Sequence, residues 1–338
     1  MMWYETAGRD NDVVVSSRVR LARNLTDYPF EGRLDEPSAK EIIEKVKKVF
    51  DGEDDFTFTD YQTVGEAERQ SAVEKHKISP EFARSKGPCA LIESDKKQMY
   101  IMVLEEDHLR IQSVIAGFAL DEALARVQEA DAKIDGALNI AYNDKLGYLT
   151  HCPTNLGTGM RASVMLFLPA IAASGGIRAL SAQLGKIGLT IRGMNGEGSA
   201  GDGCLYQVSN QITLGVSEEE IISKLTRITE NLTEKERSLR KALKDRDGGR
   251  FTDRIMRAYG TMMYATMIDT AEMLRLYADV RLGAALGIIE GVSVSALDEM
   301  MVRSMAATLM CENREIKSPA ERDHARAELM RKVLSGAA

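Results

Sequence analysis

Arg18, Arg20, Arg110, Arg161 and Arg192 each stand where an apolar run of the sequence begins or ends. In Asp12-Val13-Val14-Val15-Ser16-Ser17-Arg18-Val19-Arg20 the strand period of two puts both arginines on one face. Tyr100-Ile101-Met102-Val103-Leu104 runs into Glu105-Glu106-Asp107-His108-Leu109-Arg110. Leu189-Thr190-Ile191-Arg192 leads to the loop Gly193-Met194-Asn195-Gly196-Glu197-Gly198. Cys152-Pro153-Thr154-Asn155-Leu156-Gly157-Thr158-Gly159-Met160-Arg161-Ala162-Ser163 is a turn punctuated by proline, asparagine and glycine, with an arginine just beyond it. A guanidinium offers a planar fork of donors suited to phosphate oxygens, and glycine lets a backbone approach a ligand closely. Taken singly, each arginine reads as a surface or ion-pair residue, and Glu105 to Asp107 as a solvated acidic turn. Together with Glu105, Glu106 and Glu197 the arginines form a coherent set: cations for a triphosphate, carboxylates for a cationic acceptor.

Such a set has to be held by rigid elements that present it at their ends. Strand-like runs lie at 12–15, 100–104, 163–168, 188–192 and 204–208. Capping boxes announce two helices: Ser38 with Glu41 before Ile42, Val46, Val49 and Phe50, and Ser217 with Glu220 before Ile221, Leu225, Ile228 and Leu232. Leu120, Leu124, Val127 and Ile134 mark another. Helices and strands mix without a regular βαβ alternation, which predicts an α+β fold with a mainly antiparallel sheet. Asp245-Arg246-Asp247-Gly248-Gly249 breaks the pattern, and the chain beyond it reads as helix. Met273, Tyr277, Val280 and Ala284 share one helical face. Ser318-Pro319-Ala320-Glu321 starts a last helix that Leu329, Met330, Val333 and Leu334 would dock. The expected division is a catalytic unit over 1–247 and a small helical one over 248–338.

The chain of 338 residues carries a net charge of −7, which argues against a general nucleic-acid binder. Cys89, Cys152, Cys204 and Cys311 are dispersed, as are His76, His108, His151 and His324, so neither a disulfide framework nor a zinc site is expected. With no signal peptide and no apolar stretch of membrane-spanning length, a reduced cytoplasmic protein is the expectation. There is no Walker A sequence. Gly196-x-Gly198-x-x-Gly201 satisfies a dinucleotide fingerprint in letters, but strand-like Leu205 to Val208 comes where a helix should begin. A mobile glycine-rich lid fits better.

Ser16-Ser17-Arg18-Val19-Arg20, Glu105 to Arg110, Cys152 to Ser163 and Arg192-Gly193-x-x-Gly196-Glu197 occur in the order found in the phosphagen (guanidino) kinases, which the chain resembles over roughly 12 to 236. Within that superfamily it looks most like the bacterial protein-arginine kinases of the McsB type. The resemblance implies a catalytic domain of antiparallel sheet flanked by helices, with ATP and Mg2+ as nucleotide and metal. It assigns Ser16, Ser17, Arg18, Val19, Arg20, Arg110, Arg161, Ala162, Ser163, Val164, Met165, Arg192, Gly193, Met194, Asn195 and Gly196 to the nucleotide. His76 falls near the base, although by itself it reads as an ordinary surface histidine. Glu106 matches the catalytic carboxylate and Glu197 the second one, on the loop, while Glu105 and Asp107 support the site, Glu105 through magnesium-bound water. Cys152 matches the family's cysteine at this turn. It reads either as a reactive thiol or as a buried structural one.

Small-guanidino kinases carry a helical domain ahead of the Ser-x-Arg-x-Arg strand, whereas fifteen residues precede Ser16 here. An open site would admit an arginine still attached to a polypeptide. Arg322 and Arg326, four apart, share a helical face, which Glu321 and Asp323 could neutralise as a solvated surface. The resemblance matches Arg322, Asp323, Arg326 and Ala327 to a motif that binds phosphoarginine allosterically. By resemblance the expected partners are client proteins with exposed arginine, a zinc-binding activator, a heat-shock repressor, a Clp-type unfoldase and a second copy of the chain. The alternatives are a small-molecule guanidino kinase and a catalytically silent phosphoarginine-binding adaptor.

Overall fold

The computed structural model describes residues 2–194, 202–246 and 248–336. The strands are β1 (Val14–Arg23), β2 (Thr57–Asp60), β3 (Ala90–Ser94), β4 (Met99–Val103), β5 (Leu109–Ala116), β6 (Tyr142–Asn143), β7 (Gly147–Tyr148), β8 (Met160–Phe167), β9 (Leu189–Gly193) and β10 (Leu205–Asn210). The helices are α1 (Glu36–Phe50), α2 (Glu66–Glu74), α3 (Pro80–Ala83), α4 (Leu120–Ala137), α5 (Pro169–Ala173), α6 (Ile177–Lys186), α7 (Glu218–Arg246), α8 (Gly248–Tyr264), α9 (Thr270–Ala285), α10 (Val294–Arg303), α11 (Ala306–Glu312) and α12 (Pro319–Leu334). Eight strands make one sheet in the order β2-β3-β4-β5-β1-β8-β10-β9. All its pairings are antiparallel, as the sequence predicts. No helix among the described residues is long and apolar enough to cross a membrane.

Local signals set most helix starts. Ser217 and Glu220 bond each other's backbone N–H groups (3.1 and 2.8 Å), and Ser318 with Glu321 forms the second box. The first box is different. Helix α1 begins before Ser38, because Asp35 accepts from the Ser38 N–H at 2.9 Å and Pro37 fixes the first turn. Helix α2 was not legible, since Glu66 to Glu74 carries no apolar stripe.

The two faces of the sheet differ. One carries Val19, Leu21, Ile111, Ala162 and Val164 into a core shared with α1, α4, α6 and α7. The other is apolar along part of its length, where Val114, Met165, Phe167 and Leu205 join a second core built from α8, α9, α10 and α12. Met2, Trp3 and Tyr4 belong to that second core. The C-terminal helices thus bury the sheet directly rather than standing apart from it.

Two buried charge clusters fasten this packing. Arg281 Nε donates to Asp298 Oδ1 (2.7 Å), which also accepts from the Tyr277 hydroxyl (2.6 Å). Glu236 accepts from the Ala170 and Ile171 N–H groups, both at 2.9 Å, and from Arg240 Nε at 2.8 Å. Arg240 and Arg281 both donate to the Asp12 carbonyl, at 3.1 Å each, so two helices grip the segment that enters β1.

Candidate active site

Strand register assembles the arginines. Residues directly opposite in an antiparallel pair project to the same side. Arg20 faces Gln112 on β5 and Arg161 on β8, Met165 faces both Ser16 and Gln207, and Gln207 faces Arg192 on β9. Alternation then adds Arg18 and Arg110. All five predicted arginines therefore rise from four strands onto one side of the sheet, together with Ser16, Ser163 and Met165. Ser17, Val19, Ala162 and Val164 project the other way. The Ser17 hydroxyl donates to the Gly117 carbonyl (2.8 Å) and accepts from the Ala119 N–H (3.0 Å), which commits it to the start of α4.

This cationic end is electrostatically tense. Burial first, then the guanidinium groups of Arg110 and Arg161, bring Arg18 down to about 10. Arg20 is pushed down by burial and by Arg18, Arg110 and Arg161, with Glu105 opposing. Arg20 Nε is buried with no hydrogen-bond partner among the described residues. Arg18 holds a neutral partner, Gln207 Oε1, at 3.0 Å. Donors of this kind, crowded and short of anions, fit a polyphosphate.

Three cavities succeed one another over this face. The largest of the three, about 520 Å3, is lined by Arg18, Arg20 and Arg110 and by Trp3, His76, Met165 and Met194 among others. A second, about 150 Å3, adds Glu106, Cys152 and Arg161 to Arg20 and Arg110. A third, about 200 Å3, joins Arg161 to Arg192 through Thr154 and Asn155.

The three acids after β4 do three different things. Glu106 is exposed at the second cavity. Glu105 is largely buried and accepts from Arg110 Nη1 through both oxygens and from the Ser79 hydroxyl at 2.7 Å. It positions a cation. Asp107 Oδ1 accepts from Asn24 Nδ2 (2.6 Å) and the His151 N–H (2.7 Å), so it anchors the turn carrying Cys152. His108 is structural as well: its Nδ1 accepts from the Leu25 N–H and its Nε2 donates to the Pro29 carbonyl.

Gly157 and Gly159 take left-handed backbone, φ 108° and 64°, that only glycine adopts without strain. Their close neighbours are protein, contrary to the expectation of a ligand. A Cβ on Gly157 would lie 2.2 Å from the Thr213 carbonyl oxygen, and one on Gly159 2.7 Å from that of Ala22. Cys152 is partly exposed, with Sγ 3.0 Å from the Thr154 hydroxyl oxygen. Gly193 ends β9 and Met194 comes directly after it, while Asn195, Gly196, Glu197 and the rest of the glycine-rich run to Gly201 lie outside the described residues.

His76 is not the surface residue its sequence context suggests. Its backbone is left-handed (φ 59°) and its ring stacks on Trp3 with centroids 5.1 Å apart. Burial, then Arg18, push it down to about 3, so it is neutral. Trp3, in turn, donates to the Lys75 carbonyl at 3.0 Å. Trp3, Ser79, Gln207 and Met301 escaped the sequence reading. Only Gln207, two residues beyond Leu205 on a strand-like run, carried a local signal for facing the site.

The last helix docks through Arg326, Ala327, Met330 and Leu334, so the Arg322–Arg326 face is not the purely solvated surface that its charges alone would allow. Arg326 is fully buried, donating to the Ser304 carbonyl (2.8 Å), the Ile268 carbonyl and Asp323 Oδ1 (2.6 Å each) and the Thr270 hydroxyl (3.1 Å). Ala327 is buried too, whereas Arg322 and Asp323 keep partly exposed side chains.

Residues 38–239 match the family model of the ATP:guanido phosphotransferase C-terminal catalytic domain, and residues 249–338 that of the protein-arginine kinase McsB C-terminal domain. The chain is 42% identical over 336 residues to a protein-arginine kinase of Syntrophomonas wolfei, covering 98% of this chain and 93% of the relative. It is 39% identical over 340 residues to one of Moorella thermoacetica, covering 99% and 97%. Among solved structures it resembles the duplicated taurocyamine kinase of Schistosoma mansoni with bound transition-state-analogue components. The TM-score is 0.61 at 26% identity, over 72% of this chain and 35% of that one. A lombricine kinase shares the fold at a TM-score of 0.60 and 23% identity, over 70% and 69%.

Proposed function

This chain belongs to the protein-arginine kinases of the ATP:guanido phosphotransferase family, and from that premise we propose that it transfers the γ-phosphoryl group of ATP to arginine side chains of proteins. The observation that carries the reading is the arginine face with exposed Glu106 on the same cavity as Arg20 and Arg110.

Phosphoryl transfer asks little covalent chemistry of a protein. Arg18, Arg20 and Arg110, with Arg161 and Arg192, neutralise the triphosphate and the charge that moves to the departing diphosphate. Glu105 keeps Arg110 in place. The acceptor guanidinium stays protonated near neutrality, so Glu106 orients it and takes a proton as the N–P bond forms and the bridging O–P bond breaks, leaving ADP. Magnesium arriving with the nucleotide would be held by phosphate oxygens and water, because the described residues bring together no three His, Cys, Asp or Glu side chains as a cage. Partly exposed Arg322 and Asp323 would make the contacts to phosphoarginine, with buried Arg326 setting the helix. Marking clients for a Clp-type unfoldase in a cytoplasmic stress response, by a homodimer, extends the same reading.

Incubation with ATP and an arginine-rich protein should give an acid-labile phosphate on arginine. Glu106→Gln should slow it about 10²- to 10⁴-fold without unfolding the chain. Efficient turnover of free arginine or creatine, with proteins untouched, would replace this reading with a small-molecule kinase.

A further inference from the structure

The cavity of about 520 Å3 mixes two kinds of lining. Arg18, Arg20 and Arg110 supply cations, Trp3, His76, Met301, Val302 and Met305 supply aromatic and apolar surface, and Glu74, Ser79 and Glu81 are among the polar residues of the same lining. A nucleotide whose phosphates take the arginines sets its flat, largely apolar base against the aromatic and methionine side chains. Met301, Val302 and Met305 come from α10 and the residues just after it, inside the stretch that matches the C-terminal family model rather than the catalytic one.

One carboxylate joins the two sides of that compartment. Glu74, the last residue of α2, accepts from the Ala307 N–H (3.0 Å), the Thr308 N–H (2.7 Å) and the Thr308 hydroxyl (2.8 Å). The Thr308 hydroxyl oxygen also lies 3.1 Å from that of Ser71. Helix α2 ends two residues before His76, and α11 starts directly after Met305. Three donors converging on one carboxylate make a directional, charge-assisted joint.

We propose that the C-terminal helices supply one wall of the base compartment, and that Glu74 is the positioning residue that holds this wall in register with His76. The proposal rests on the reading of ATP as phosphoryl donor.

Trp3 is the sole tryptophan of the chain and stacks on His76, so its emission reports on the compartment. Titrating the full chain with ADP should change that emission to saturation. Glu74→Gln turns one acceptor into a donor facing donors. It should raise both the KM for ATP and the ADP dissociation constant about ten-fold. The KM for the protein acceptor should not move, and kcat should fall far less. Thr308→Val and Met305→Ala, which cut the joint and the wall from the other side, should act in the same direction by about three-fold. They also carry the test if Glu74→Gln does not fold. The proposal is overturned if these variants leave nucleotide affinity unchanged, or if they lower kcat and the melting temperature together at constant KM for ATP. Failure of the underlying reading looks different: the unaltered chain would bind no nucleotide by calorimetry at all.

Discussion

Two sets of arginines divide this molecule. Arg23, Arg240, Arg281 and Arg326 are the largest fully buried cations, and each finds acceptors inside the fold. Arg23 donates to Asp131 at 2.7 Å and lies over the Tyr148 ring, 3.4 Å from its centroid. Burial alone would push Arg281 down, but Asp298 and Tyr277 more than reverse it, leaving it above its ordinary value. At the site, Arg18 and Arg20 have chiefly each other, Arg110 and Arg161 for company, and both titrate below their ordinary value. Burial alone therefore says little about an arginine's task. What separates the sets is whether the compensating anion is built into the chain or has to arrive as a ligand. Arg110 bridges the two cases, since Glu105 satisfies one side of it while the other faces the cavities.

Substitutions should separate the sets sharply. Arg281→Ala leaves Asp298 buried beside Tyr277 alone and should cost about 3–5 kcal/mol in urea unfolding. Arg20→Ala should lower kcat/KM by about 10²- to 10³-fold. Its stability should stay equal or rise, because a buried like-charge neighbour is removed. A stability loss matching that of Arg281→Ala would break the distinction between the sets. A gentler comparison uses pH. The unfolded chain protonates His76 near 6.5, while the folded chain, with this ring held at about 3, does not. Between those values the unfolded state binds more protons. The ring's contribution is thus whole above 6.5 and is lost as pH falls through that window. His76→Gln should shrink the drop in urea midpoint between about pH 7 and about pH 5; an unchanged drop would mean that other groups account for it.

Much of the site was legible because its signals are local. Alternation within β1 put Arg18 and Arg20 on one side, and the run into Glu105 to Asp107 marked a strand end. What stayed hidden depends on neighbours distant in sequence. Ser17 sits beside Ser16 and yet serves α4 from the opposite face. His76 has no apolar period around it, and its role comes from Trp3, at the other end of a long stretch of chain. Arg326 reads as surface beside Asp323, but Ser304, Ile268 and Thr270 close over it.

The sequence by itself determined which residues share a face within each strand it marked and how α7 and α12 are capped, since covalent spacing and short-range hydrogen bonding decide both. Strands β2, β3 and β5 carried no such mark and emerge only as members of the sheet. Tertiary structure alone decided how the strands register against one another and which acid meets which arginine. It also decided that helices beyond residue 248 complete a cavity opened by β1. Those outcomes turn on packing between segments far apart in the chain, where burial converts a charge into either a satisfied pair or a demand for a ligand.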